Sequence, residues 1–140
     1  TDAGHAELPT DAARNTAAIA AQAVLRRAGV TRGVSLRITK GLPLSGGQGG
    51  SAASAVGGAV AANLLSGAGL DSAALLECAM EAEATVAGRH ADNLAPSLLG
   101  GIILVRSVAP MDVVQLPLPA IPGQRAGPLR LQLHLLRRSG

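Results

Sequence analysis

A chain of 140 residues has the size of one domain, and its net charge of +3 gives no reason to expect a polyanionic partner. Phe, Tyr and Trp are absent, so the rings on which single-stranded nucleic acids stack are missing. The most apolar stretch, Ala52 to Leu65, is too short to cross a bilayer. One cysteine, Cys78, cannot form an internal disulfide. We therefore expect a cytoplasmic protein that binds neither nucleic acid nor membrane and builds its core from small aliphatic side chains.

The first elements in chain order are a helix and a strand. Thr10 or Asp11 is a candidate N-cap for a helix that runs to about Ala28. Residues 34–40 alternate apolar and polar side chains, which is typical of a half-buried strand. No hydrophobic segment preceded by basic residues begins the chain, so no signal peptide is predicted.

A glycine-rich loop over residues 41–50 leads to a helix predicted from Ser51 to about Ser66. This helix is so rich in Ala and Gly that it would be weak in isolation. We therefore expect it to be buried against a sheet or another helix. Asp71 or Ser72 caps a further predicted helix that reaches residue 87.

The second half of the chain predicts mainly strands. Residues 89–96 are interpreted as a polar loop, 100–106 as a buried strand and 113–118 as a second strand. Residues 129–135 alternate Leu with polar side chains, the pattern of an amphipathic strand. Separated helices and strands without a sequence repeat indicate an α+β or α/β fold.

The strongest chemical signal is the order of strand, glycine-rich loop and helix over residues 34–66. A helix N-terminus offers unpaired N–H groups and a partial positive charge, both suited to phosphate. The P-loop pattern is excluded because no Lys follows the glycines at the required spacing. Spacing alone leaves phosphate binding and an ordinary turn equally open.

Two motifs resolve this choice by resemblance. Residues 43–54 are similar to the second motif of the GHMP kinases, Pro-x-x-x-Gly-Leu-Gly-Ser-Ser-Ala-Ala, although Gln48 replaces its Leu and Gly50 its first Ser. Residues 90–101 resemble the next segment of the homoserine kinases within that superfamily. The resemblance extends over residues 15–118 and implies an α+β segment of the GHMP-kinase N-terminal type, which is like domain 2 of ribosomal protein S5.

The resemblance implies ATP and Mg²⁺ as cofactors. Ser51 and Glu83 would hold the metal, with Glu81 as the second choice for the acidic ligand; without the resemblance, Glu83 would be interpreted as a solvated helical carboxylate. The residues that would contact ATP are Pro43, Ser45, Gly46, Gly47, Gln48, Gly49, Gly50, Ser51, Ala52 and Ala53.

His90, Asp92 and Asn93 match the residues that line the amino-acid pocket of homoserine kinases. The resemblance implies transfer of the γ-phosphoryl group of ATP to the hydroxyl of L-homoserine, a step of threonine biosynthesis. Asn93 occupies the catalytic position, and an amide is not a useful proton acceptor. No other side chain is a convincing general base.

The first and third motifs of the family are not found in the sequence. We therefore expect residues 1–123 to be a partial ATP-binding domain and residues 124–140 to be a tail unlike the family. A homodimer is a further expectation. The alternatives are another GHMP kinase, acting on mevalonate, galactose or a similar alcohol, and a non-catalytic module that binds nucleotide or associates with itself.

Overall fold

A computed structural model describes residues 9–40, 47–86 and 88–117, together with the backbone of 132–136. The described elements are grouped, with three helices in succession after β1 and then three strands, as expected for the α+β class. In chain order they are α1 (Thr16–Arg27), β1 (Ser35–Thr39), α2 (Gly50–Ser66), α3 (Ser72–Glu83), α4 (Leu94–Leu99), β2 (Ile102–Val108), β3 (Met111–Leu116) and β4 (Gln132–Leu136). No helix in the described part of the chain is both long and apolar enough to cross a membrane.

The core lies among α1, α2 and α3, and α4 closes one side of it. Its largest fully buried side chains are Val24, Leu76, Met80 and Leu94, and much of the remainder is alanine. Because small side chains bury little area each, such a core depends on close approach of the helix backbones. This confirms the expectation of a core built mainly from small aliphatic side chains.

The helices α1 and α2 approach each other closely. At Gly58, in the middle of α2, an added Cβ would lie 2.1 Å from the backbone oxygen of Ala17 in α1. A side chain of any size is therefore excluded at this position. The Ala- and Gly-rich composition of α2 is explained by this packing, and its predicted burial is confirmed.

The strands form two antiparallel pairs. In the first, β1 pairs with β4, so that Ser35 lies opposite Leu136. In the second, β2 and β3 form a hairpin with a register shift between Val105 and Ser107. The prediction that β2 is a buried strand is wrong, because Ile102 is 55% exposed and burial alternates along the strand. One face of this hairpin packs on the helices and the other is open.

The first helix begins later than predicted. Asp11 accepts a hydrogen bond from the N–H of Ala13 and so stabilises a turn. Asn15 is the N-cap, and its side chain accepts hydrogen bonds from the N–H groups of Ala17 and Ala18. The predicted caps, Thr10 and Asp11, are therefore wrong; an Asn side chain accepts backbone hydrogen bonds at an N-cap as well as Asp or Thr does.

The third helix is capped by Asp71, as predicted, but it ends at Glu83 and not at residue 87. Beyond that end, the N–H groups of Thr85 and Val86 bond to carbonyls three residues earlier, which tightens the chain into turns. The predicted loop 89–96 is also partly wrong, because α4 occupies its last three residues. Pro96 is tolerated there since the first turn of a helix needs no N–H donor.

Candidate functional site

The N-terminal end of α2 follows residues 47–49 and has no side-chain cap. Gly47 and Gly49 have φ angles of 70° and 67°, a left-handed conformation that other residues adopt only at a cost. Gly49 is the N-cap of this 17-residue helix. The first N–H groups of the helix lack partners within it and carry a partial positive charge. This geometry suits an anion such as a phosphate.

Ser51 and Glu83 meet beside this helix end. The Ser51 hydroxyl donates a hydrogen bond to Glu83 Oε1 at 2.9 Å. Glu83 is 5% exposed, and its other oxygen, Oε2, is buried without a hydrogen-bond partner in the described part of the chain. A buried carboxylate oxygen without a donor is costly. A bound cation would remove that cost.

A hydroxyl and a carboxylate are oxygen ligands of the kind that Mg²⁺ accepts. Mg²⁺ usually takes one or two protein ligands and completes its shell with phosphate oxygens and water. No group of three or more His, Cys, Asp or Glu side chains that could hold a metal occurs among the described residues. The Ser51–Glu83 pair therefore fits a metal ion that arrives with a nucleotide better than a site built from protein ligands alone.

Lys40, just after β1, also reaches this helix end. Its ammonium donates hydrogen bonds to the Gly50 carbonyl at 2.8 Å and to the Ser54 hydroxyl at 3.2 Å. Burial lowers the pKa of Lys40, and the charge of Glu83 acts in the opposite direction. The sequence analysis missed this residue. The available signal was that Lys40 is the chain's only lysine and directly precedes the glycine loop.

Asn93 brings the segment 90–101 next to the start of α2. A Cβ built on Gly49 would lie 3.4 Å from Asn93 Oδ1, so the side chain of Asn93 lies beside the N-cap of α2. His90 and Asp92 are exposed on the segment that leads to α4. A Cβ at Gly88 would lie 3.2 Å from His90 Nε2, so Gly88 leaves room for the imidazole. The two motifs are thus neighbours in space.

The other predicted residues are distributed as follows. Gly47 and Gln48 lie in the loop, with Gln48 exposed, whereas Ala52 and Ala53 are buried in α2. Glu81, the second choice for the metal ligand, is wrong for that role, because it is exposed and pairs with Arg26 of α1. Outside the described residues lie Pro43, Ser45, Gly46 and the predicted boundary at residue 123.

Comparison with known families matches residues 15–101, more than half of the chain, to the model described as GHMP kinases N terminal domain. The chain belongs to the GHMP kinase family. Within that family, it is 45% identical over 115 residues to a homoserine kinase of Arabidopsis thaliana, covering 81% of the chain and 31% of the relative. It is 39% identical over 119 residues to a homoserine kinase of Chlorobium phaeobacteroides, covering 80% and 37% respectively.

A solved structure of this GHMP kinase branch has the same fold. The crystal structure of homoserine kinase from Cytophaga hutchinsonii matches 81% of this chain and 36% of its own, with a TM-score of 0.76 and 47% sequence identity. The chain spans about a third of the length of the curated relatives it matches. The match therefore concerns one segment of those proteins, the segment in which the helix end, the Ser51–Glu83 pair and Asn93 meet.

Proposed function

We propose that this chain carries the nucleotide-binding part of a homoserine kinase, which transfers the γ-phosphoryl group of ATP to the hydroxyl of L-homoserine in the cytoplasm. The observation that carries the proposal is the Ser51–Glu83 hydrogen bond of 2.9 Å at an uncapped helix N-terminus. A hydroxyl, a buried carboxylate oxygen and the first N–H groups of the helix lie next to one another there, which supports binding of a magnesium–phosphate complex.

In the proposed reaction, the N–H groups at the start of α2 bind the phosphates, and Ser51 and Glu83 hold Mg²⁺. The metal neutralises charge on the phosphates when it is bound. Expulsion of water around Glu83, which is already buried, strengthens these electrostatic contacts. The contribution of this chain is therefore the positioning and charge compensation on which phosphoryl transfer mainly depends.

The acceptor would bind beside the same helix end. The carboxylate of Asp92 suits the substrate ammonium, and the side chains of His90 and Asn93 suit its other polar groups. Asn93 lies beside Gly49, so it can orient the hydroxyl toward the phosphate. An amide does not take up the proton usefully. We propose that the proton passes to phosphate or solvent, which agrees with the absence of an obvious base in the sequence.

The full-length gene product that contains this sequence provides the test. We expect homoserine-dependent release of ADP, which falls by about 100-fold or more in Ser51→Ala and Glu83→Gln because charge stabilisation in the transition state is lost. Ser66→Ala, at the other end of α2, and Glu81→Gln, on the exposed side of α3, are matched controls. No ADP release with homoserine in the unmodified protein would refute the proposal.

Two further outcomes separate the alternatives. ADP release with another small alcohol, but not with homoserine, would assign the chain to a different GHMP kinase. Binding of ATP without turnover of any alcohol would favour a non-catalytic nucleotide-binding module. Asp92→Asn should raise KM for homoserine with a smaller change in KM for ATP, and Asp112→Asn, in the β2–β3 hairpin, is the control. The homodimer stays a prediction, to be checked by sedimentation.

A further inference from the structure

Hydrogen bonds from Lys40, which directly follows β1, connect the end of that strand to the beginning of α2. The Lys40 ammonium bonds to the Gly50 carbonyl at 2.8 Å and to the Ser54 hydroxyl at 3.2 Å. The Ser54 hydroxyl in turn donates to the same Gly50 carbonyl at 2.9 Å. Three groups therefore meet at the first residue of the helix. The contact bridges the whole glycine loop, because Lys40 immediately precedes it and Gly50 ends it.

The surroundings of Lys40 favour a role for its charge as well as for its length. Ser54 is 4% exposed and Glu83 is 5% exposed, so the ammonium lies among buried polar groups. Of the twelve basic residues in the sequence, eleven are arginine and only Lys40 is lysine. An ammonium is compact and can direct its donors to two acceptors, whereas a guanidinium is a larger, planar group.

We propose that Lys40 is a positioning residue, which holds the first turn of α2 so that its N–H groups face the phosphates and which supplies positive charge beside Glu83. The inference rests on the proposed function for the identity of the ligand. Lys40 acts through Gly50 and Ser54, since those are its hydrogen-bond partners. Its loss releases the helix end that receives the phosphates.

The test compares Lys40→Met, which keeps the length of the side chain without the charge, with Lys40→Arg. Arg37→Met, at an exposed position of β1, is the matched control. A non-hydrolysable ATP analogue with Mg²⁺ is titrated into each protein by calorimetry. We expect Lys40→Met to bind about 10- to 100-fold more weakly, the range for a hydrogen bond from a charged group. Lys40→Arg should recover part of that loss, and Arg37→Met should bind normally.

Hydrogen exchange without nucleotide gives an independent measurement. We expect the amides of residues 51–54 to exchange faster in Lys40→Met than in the unmodified protein, with no change at the far end of α2. If the unmodified protein does not bind the analogue, but exchange at 51–54 still accelerates, the proposed function fails and the positioning role stands. Normal exchange together with normal binding in Lys40→Met overturns the inference. Equal loss of binding in Lys40→Arg and Lys40→Met overturns the role of charge.

Reductive methylation keeps the inference testable if Lys40→Met does not fold. Lys40 is the only lysine in these 140 residues, so in the 140-residue chain methylation changes this side chain and the terminal amine alone. Dimethylation keeps the positive charge but leaves a single N–H donor, and we expect it to weaken nucleotide binding and accelerate exchange at 51–54. Methylated Lys40→Arg controls for the terminal amine. Unchanged binding and exchange after complete methylation would overturn the hydrogen-bonding role.

Discussion

Replacement of Gly58 by alanine should separate α1 from α2. The new Cβ would lie 2.1 Å from the backbone oxygen of Ala17 and less than 3 Å from two further backbone atoms of that residue. Ordinary contact begins near 3.4 Å, so the helices would have to move apart by about 1.3 Å. Backbone atoms cannot avoid the methyl group by rotating about a side-chain bond. The change is therefore expected to be transmitted along the helix pair.

The magnitude follows from two opposing contributions. Alanine is better than glycine inside a helix by about 1 kcal/mol. Overpacking costs typically about 1–3 kcal/mol and more where backbone must move. Because the shift also loosens the small buried side chains along α1 and α2, we expect Gly58→Ala to lower the free energy of unfolding by about 2–3 kcal/mol. For a chain of this size, that lowers Tm by about 10 °C.

Circular dichroism at the helix band, followed through thermal and urea unfolding, measures the change. Gly33→Ala is the control, because a Cβ at Gly33 meets nothing within 4 Å and its φ is not left-handed. It should alter stability by less than about 0.5 kcal/mol. If Gly58→Ala unfolds at or above the temperature of the unmodified protein, the close approach of the two helices is refuted.

Three other predictions concern single sites. Burial raises the pKa of the Cys78 thiol, so a disulfide reagent should react with it mainly through unfolding. For the same reason, the free energy of unfolding should fall as pH rises through the pKa of the unfolded thiol. Rapid labelling of the folded protein would contradict this. The ion pair of Arg27 with Glu77 spans 2.6 Å but is half exposed, so a double-mutant cycle should give a coupling below about 1 kcal/mol that weakens with salt. Gly49→Ala forces a left-handed conformation beside Asn93 and should lower stability by about 1 kcal/mol and weaken nucleotide binding; unchanged unfolding and affinity would count against the assigned geometry.

The local pattern of apolar and polar residues predicted much of the secondary structure. Where that prediction failed, a tertiary contact determined the observed structure. The thinness of α2 predicted its burial because a helix with so little side-chain bulk is stable only when packed. The strand β2 was misjudged because its apolar residues continue on both faces, although Ile102 and Leu104 lie on an open face. The start of α4 was missed because a polar segment containing Pro96 resembles a loop, whereas the burial of Leu94 and Ala95 anchors it as a helix.

The candidate site was found by resemblance more than by physical pattern. Glycines before a helix suggested an anion site, but nothing in their spacing indicated that Glu83 would meet Ser51 across 32 positions. Glu81 and Glu83 lie two positions apart and so point in different directions from α3. Glu81 therefore forms an exposed ion pair with Arg26, whereas Glu83 is buried and can act as a ligand. Lys40 was missed because one charged residue at the end of a strand is usually solvated.

The pairing of β1 with β4 bears on the order of events when the chain folds. Ser35 and Leu136 are separated by 101 positions, whereas α2 and α3 follow each other directly. Closing the longer loop costs more chain entropy, and contacts of high sequence separation form slowly. The helices can therefore assemble first, and β1 pairs with β4 afterwards. The rate-limiting step would then be the pairing of β4 with β1.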